Sequence, residues 1–222
     1  TARMPSQSLT PEDYARARRI LMRRDPILGA AIKAIGPCLM AERQRADHLV
    51  ALSGSIVSQQ LSTKAAATIF GRFQALFPEG RITPDAVLAL DDPTLRGVGL
   101  SGQKVRYMRD LCERIADRRL VLDEIETLDD EAVIERLTEV KGFGRWTAEM
   151  FLMFRLHRPD VLPVGDLGIV KAVQKVYRLR KLPTADRLVK IGEPWRPYRS
   201  VACWYLWASL ENARSEEHTS EL

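Results

Sequence analysis

No stretch of this chain alternates apolar and polar residues long enough to demand a β-strand, while caps and prolines open helix after helix. Thr10-Pro11-Glu12-Asp13 supplies an N-cap, a proline at the first helical position and early acids ahead of Tyr14 to Arg24. Asp25-Pro26 starts a second helix that ends near Gly36-Pro37, and Ala46 to Gln60 forms a third. Ser62 caps a fourth, in which Ala66, Ile69, Phe70, Phe73 and Phe77 recur at helical spacing. Thr83-Pro84 and Ser101 open two more, the latter with an apolar stripe of Val105, Met108, Cys112 and Ile115. Asp129-Asp130 begins another, and Arg145 to His157, Leu167 to Leu179, Ala185 to Ile191 and Pro197 to Asn212 complete the set. The expected fold is all-α, with about ten or eleven helices.

With 222 residues, 45% of them apolar, the chain can bury a real core as one large domain or two small lobes. Proline breaks at Arg158-Pro159 and Leu162-Pro163 suggest two lobes with a cleft between them. On this reading residues 1–213 form one domain, with 46–157 as a central lobe and 1–45 plus 158–213 as the second. No apolar run approaches the ~20 residues that span a bilayer, and no leader opens the chain, so no membrane contact and a cytoplasmic location are expected. A net charge of +5 favours a polyanionic partner. Cys38, Cys112 and Cys203 are few and far apart, as are His48, His157 and His218, which argues against a disulfide framework, a zinc site or an iron–sulfur cluster.

The last nine residues, 214–222, carry one arginine and three glutamates, so the body without them stands at +7. They lack apolar periodicity and read like a translated sequencing adapter, so a non-native tail is expected there.

Lys141-Gly142-Phe143-Gly144 is too short and too glycine-rich to continue a helix, and both glycines permit positive φ. Leu137 and Val140 before it, with Thr147-Ala148 after it, supply the residues that pack two helices on a turn. Such a turn can offer backbone N–H groups to a phosphate, aided by the positive end of the following helix. Twenty residues after Trp146, Asp166 opens the next helix in Val164-Gly165-Asp166. It suits an N-cap, and the helix terminus also favours an ionised carboxylate that could do chemistry.

The stretch from Leu137 to Ala148 resembles a helix-hairpin-helix DNA-binding motif. Together with Ile56 to Ser62, Gly99 to Lys104, Val164 to Asp166 and Trp195 to Trp207, it makes the chain similar to the helix-hairpin-helix DNA glycosylases, 3-methyladenine glycosylase II branch. The resemblance covers about Asp25 to Glu211 and implies a two-lobed helical fold. It places Asp166 on the catalytic aspartate. It puts Trp146 where glycosylases with lyase activity carry a lysine, so a Schiff base cannot form there. Gln60 falls on the side chain that wedges into the gap left by a flipped nucleotide. Trp146, Met150 and Trp207 become base-pocket residues, with Met150 standing where some relatives have tyrosine.

By the same resemblance, amides near Gly142, Gly144 and Trp146 would hold a DNA phosphate, and Thr147 counts among the DNA-binding residues. Carbonyls of Thr138, Val140 and Phe143 could hold a sodium or potassium ion, and no other cofactor is implied. Lys104 and Lys141 are candidate phosphate contacts, and Arg199 either a DNA contact or a structural ion pair. The implied protein is a monofunctional glycosylase that releases alkylated purines from double-stranded DNA in base excision repair, acting as a monomer. Two alternatives remain open: a non-catalytic helix-hairpin-helix DNA-binding protein, and a glycosylase for uracil or a mismatched base.

Overall fold

The computed structural model describes residues 8–42 and 47–219, leaving aside the side chains of residues 41, 42 and 212–219. Among the described residues there are twelve α-helices and no strand. They are α1 (Pro11–Arg24), α2 (Pro26–Ile35), α3 (His48–Ser58), α4 (Thr63–Gln74), α5 (Pro84–Leu88), α6 (Asp92–Gly97), α7 (Gly102–Ala116), α8 (Asp130–Thr138), α9 (Arg145–Phe154), α10 (Leu167–Val176), α11 (Ala185–Gly192) and α12 (Arg199–Thr219). The all-α expectation holds. The helix absent from it is α6, six residues long and too short for an apolar period, although Asp91-Asp92-Pro93 carries its cap and its first-turn proline. The expected tail, 214–222, enters the description only as backbone of α12 as far as Thr219.

Caps set most of the boundaries. The side chains of Thr10, Asp25, Asp47, Ser62, Thr83, Asp91, Ser101, Asp129, Asp166 and Thr184 each accept an N–H of the helix they open. Each such cap contributes about 1 kcal/mol.

The chain divides into two compact units, which among the described residues are 47–151 and 8–42 with 152–219. The division falls inside α9, six residues before the 157/158 position read from the prolines.

In the first unit α7 is the central helix, packed on α3, α5 and α6. It buries Val105, Met108, Leu111 and Cys112, each worth about 1.5–3 kcal/mol as apolar surface removed from water. Phe73 of α4 sets its ring edge-on to Phe77 at 5.2 Å.

In the second unit α12 packs on α10, α2 and α1. Val201, Tyr205 and Leu206 of α12, Leu28 and Ile32 of α2, and Ile169 and Val173 of α10 are all buried. Asp25 ties this unit together: Oδ1 takes the N–H groups of Ile27 and Leu28, while Oδ2 accepts from the fully buried Trp195 indole at 2.9 Å and from the Tyr177 hydroxyl.

Candidate nucleic-acid interface and active site

Helices α8 and α9 are joined by a turn at residues 139–144, in the first unit. Gly142 sits at φ 84°, and a Cβ there would lie 2.2 Å from Cδ2 of Tyr107. Glycine is therefore required twice over, by backbone and by space. Gly144 differs. Its φ is not in the left-handed region, and an added Cβ would meet nothing within 4 Å. Both glycines permit positive φ, and only Gly142 uses it.

Gly144 does something else. Its carbonyl accepts the Ala148 N–H at 3.2 Å, which makes it the residue that opens α9. Where ten other helices open on a hydroxyl or carboxylate, this one opens on a residue with no side chain to cap it. The N–H groups of Gly142 and Gly144 find no acceptor within the described residues. With no Cβ over Gly144, an external anion can reach them, at a helix end whose dipole favours it.

Three contacts fix the turn, and none was legible in the motif. The buried Asp110 carboxylate accepts the Lys141 N–H at 2.9 Å and the Arg114 Nε at 3.0 Å. Burial pushes the Asp110 pKa up, but the Lys141 amide and the Arg114 guanidinium more than offset it, leaving the carboxyl below its ordinary value. Gln59 donates from Nε2 to the Gly142 carbonyl at 2.9 Å. Tyr107 closes the remaining side. Asp110 is buried on the side of α7 opposite the Val105, Met108, Cys112 and Ile115 stripe, so the apolar periodicity gave no signal for it.

The other expected DNA contacts separate. Lys141 is well exposed, with Nζ 3.5 Å from Asp110. Lys104 instead donates from Nζ to the Val57 carbonyl at 2.7 Å, capping the last turn of α3, and burial pushes its pKa down. Gln60 is exposed in the turn between α3 and α4 and holds a left-handed backbone at φ 58°. Thr147 is half-buried in the first turn of α9, with Trp146 beside it 52% exposed. Met150 follows Trp146 by one helical turn, and Phe154 follows Met150 by another.

In the second unit, Asp166 caps α10. Its Oδ1 accepts the Ile169 N–H at 2.7 Å and the Trp207 Nε1–H at 3.0 Å. Expected as a pocket wall, Trp207 is also a hydrogen-bond donor to this carboxylate, and its ring lies 5.7 Å from that of Phe154 at 31°. Gly168 makes the arrangement fit: a Cβ there would stand 2.9 Å from Asp166 Oδ1 and 3.1 Å from the Trp207 ring. Phe154 and Gly168 were not singled out by sequence. Arg199 takes the ion-pair alternative, with Nε 2.7 Å from Asp160 Oδ1.

Cys38, Cys112 and Cys203 are free and buried. Burial pushes Cys38 and Cys112 up to about 12. No group of three or more His, Cys, Asp or Glu among the described residues could hold a metal, and no described helix is long and apolar enough to cross a membrane.

Residues 53–197, from α3 through the hairpin and Asp166 to the end of the Trp195 turn, match the profile of the HhH-GPD superfamily base excision DNA repair proteins. The chain belongs to that superfamily. Among its members, DNA-3-methyladenine glycosylase 1 of Schizosaccharomyces pombe is 39% identical over 161 residues, covering 72% of this chain and 71% of the relative. Two solved HhH-GPD relatives share the fold. The S. pombe 3-methyladenine DNA glycosylase in complex with abasic DNA has a TM-score of 0.75 at 35% identity, covering 86% of this chain and 95% of the other. The DNA-3-methyladenine glycosidase of Bacillus halodurans has a TM-score of 0.79 at 36% identity, covering 90% and 91%.

Proposed function

We propose that this protein is a monofunctional DNA glycosylase that removes alkylated purines, of the 3-methyladenine type, from double-stranded DNA in base excision repair. The observation that carries the reading is Asp166, held at the start of α10 by the Ile169 amide and the Trp207 indole, in a chain of this superfamily. The names of its relatives support the substrate class.

The hairpin amides position a phosphate without reading sequence. Flipping the nucleotide costs a few kcal/mol, less for a damaged base. An alkylated purine carries positive charge and stacks on indole faces by about 0.5–2 kcal/mol, which suits Trp146 and Trp207. The N-glycosidic bond then breaks with its electron pair going to the base, which leaves neutral. Asp166 stabilises the oxocarbenium-like sugar and takes a proton from the water that adds to it. Tryptophan at 146 offers no amine, so hydrolysis is the outcome and the backbone is not cut through a Schiff base.

Val140 and Phe143 are buried and, with Thr138, present neutral backbone oxygens; the Val140 carbonyl accepts one N–H, from Phe143 at 3.1 Å. This donor set suits a hard monovalent cation, which would supply positive charge under the bound phosphate. The protein acts as a monomer in the cytoplasm on this reading.

The test is base release from alkylated, ethenoadenine-containing and uracil-containing duplexes. Asp166→Asn is expected to keep DNA binding and lose release of alkylated purine; near-normal release would reject the assignment. Borohydride should trap no covalent adduct, and a trapped species would point to a lysine nucleophile.

A further inference from the structure

The positive charge of this chain is concentrated in one place. Between Leu167 and Gly192, which spans α10 and α11, there are seven cations (Lys171, Lys175, Arg178, Arg180, Lys181, Arg187 and Lys190) and one acid, Asp186. Taking these from the chain's 34 cations and 29 acids leaves 27 against 28. The remaining residues are therefore close to neutral, and the net charge of +5 resides here.

All seven cations are exposed, and none makes an ion pair among the described residues. Two of them are aligned. Leu167, Lys171 and Lys175 recur every four residues on the exposed side of α10, whose opposite side buries Ile169, Ala172 and Val173. Arg178 is exposed two residues past the helix end, where the backbone turns left-handed (φ 52°). The row starts at Leu167, 57% exposed and next in sequence to Asp166. Like charges one turn apart cost a helix about 0.2–0.5 kcal/mol, and no acidic side chain among the described residues pairs with them, although Lys175 in the last turn is favoured by the helix dipole. Lys171 also lies in the half of α10 nearer its positive end.

We infer that Lys171 and Lys175 of α10, with Arg178 just past it, form a second DNA-backbone contact, which lays phosphates flanking the target nucleotide along the helix that begins with Asp166. This rests on the glycosylase reading above, which puts the target sugar at Asp166. Three exposed like charges on long side chains match a run of phosphates, so the contact is one of charge and is independent of sequence.

The salt dependence of binding to an undamaged duplex tests it, by fluorescence anisotropy on the full chain. Each phosphate contact adds about 0.9 to the slope of log K against log salt. The triple variant Lys171→Gln, Lys175→Gln, Arg178→Gln is expected to lower that slope by about 2–3. A control, Arg16→Gln, Arg19→Gln, Arg23→Gln, removes the same charge from the exposed side of α1 and is expected to leave the slope unchanged. An unchanged slope in the first variant overturns the inference, and so does an equal drop in both, which would mean net charge alone. The two readings fail separately, because the slope is measured without a lesion, whereas the Asp166→Asn assay reads base release.

Discussion

Gly142→Ala isolates what the hairpin demands of its backbone. A methyl group there would stand 2.2 and 2.3 Å from two ring carbons of Tyr107, so the ring or the turn has to move. Overpacking of this kind costs roughly 1–3 kcal/mol. The φ of 84° adds roughly 1 kcal/mol for any residue with a Cβ. The sum, about 2–4 kcal/mol, is a large part of a typical 5–15 kcal/mol stability. For a chain of this size it corresponds to a Tm loss of about 4–16 °C, read by thermal melting under circular dichroism. Measured in the background of Tyr107→Ala, the same substitution is expected to cost only the ~1 kcal/mol backbone share. A Gly142→Ala protein that melts within a degree of the parent would refute the reasoning. An equal loss with Tyr107 already truncated would refute the steric half of it.

Gly144→Asp is expected to behave oppositely: an aspartate at the residue opening α9 caps it and raises stability by a few tenths of a kcal/mol, yet sets a carboxylate where a phosphate should sit. DNA affinity should fall at least tenfold in an anisotropy titration, and unchanged affinity would remove Gly144 from the interface. Because the Asp110 carboxyl lies below its ordinary value when folded, its contribution is present above the unfolded pKa of about 4 and is lost as pH falls through the lower folded value. The stability gap between parent and Asp110→Asn, from urea titrations, should therefore narrow between about pH 5 and pH 3; a constant gap contradicts the linkage. Gly168→Ala pushes a methyl group against Asp166 Oδ1 and the Trp207 ring, while a helix-propensity gain of about 1 kcal/mol offsets part of the clash, so base release should drop tenfold or more with a Tm loss of only a few degrees. Normal turnover would show that the carboxylate position is not critical.

The helices were legible because their signals are local. Thr10, Asp25, Ser62, Thr83, Ser101 and Asp129 cap helices that can be placed without knowing what packs on them. Asp166 was legible as the cap of α10 for the same local reason. The roles of Gln59, Asp110 and Gly168 were not, because each depends on a partner brought close by folding: the Gly142 carbonyl lies 83 residues from Gln59, and the Lys141 amide 31 residues from Asp110. Lys104 shows the same limit: its bond to the Val57 carbonyl, 47 residues away, could not be read from the sequence.

The left-handed backbone at Gln60 restricts what evolution or an engineer can place there. At a φ of 58° a residue branched at Cβ is strongly disfavoured, so valine, isoleucine and threonine are poor choices at this position. Leucine, methionine, histidine, asparagine and glutamine remain open. The side chains this turn can display are thus chosen first by a torsion angle, and only then by what they meet.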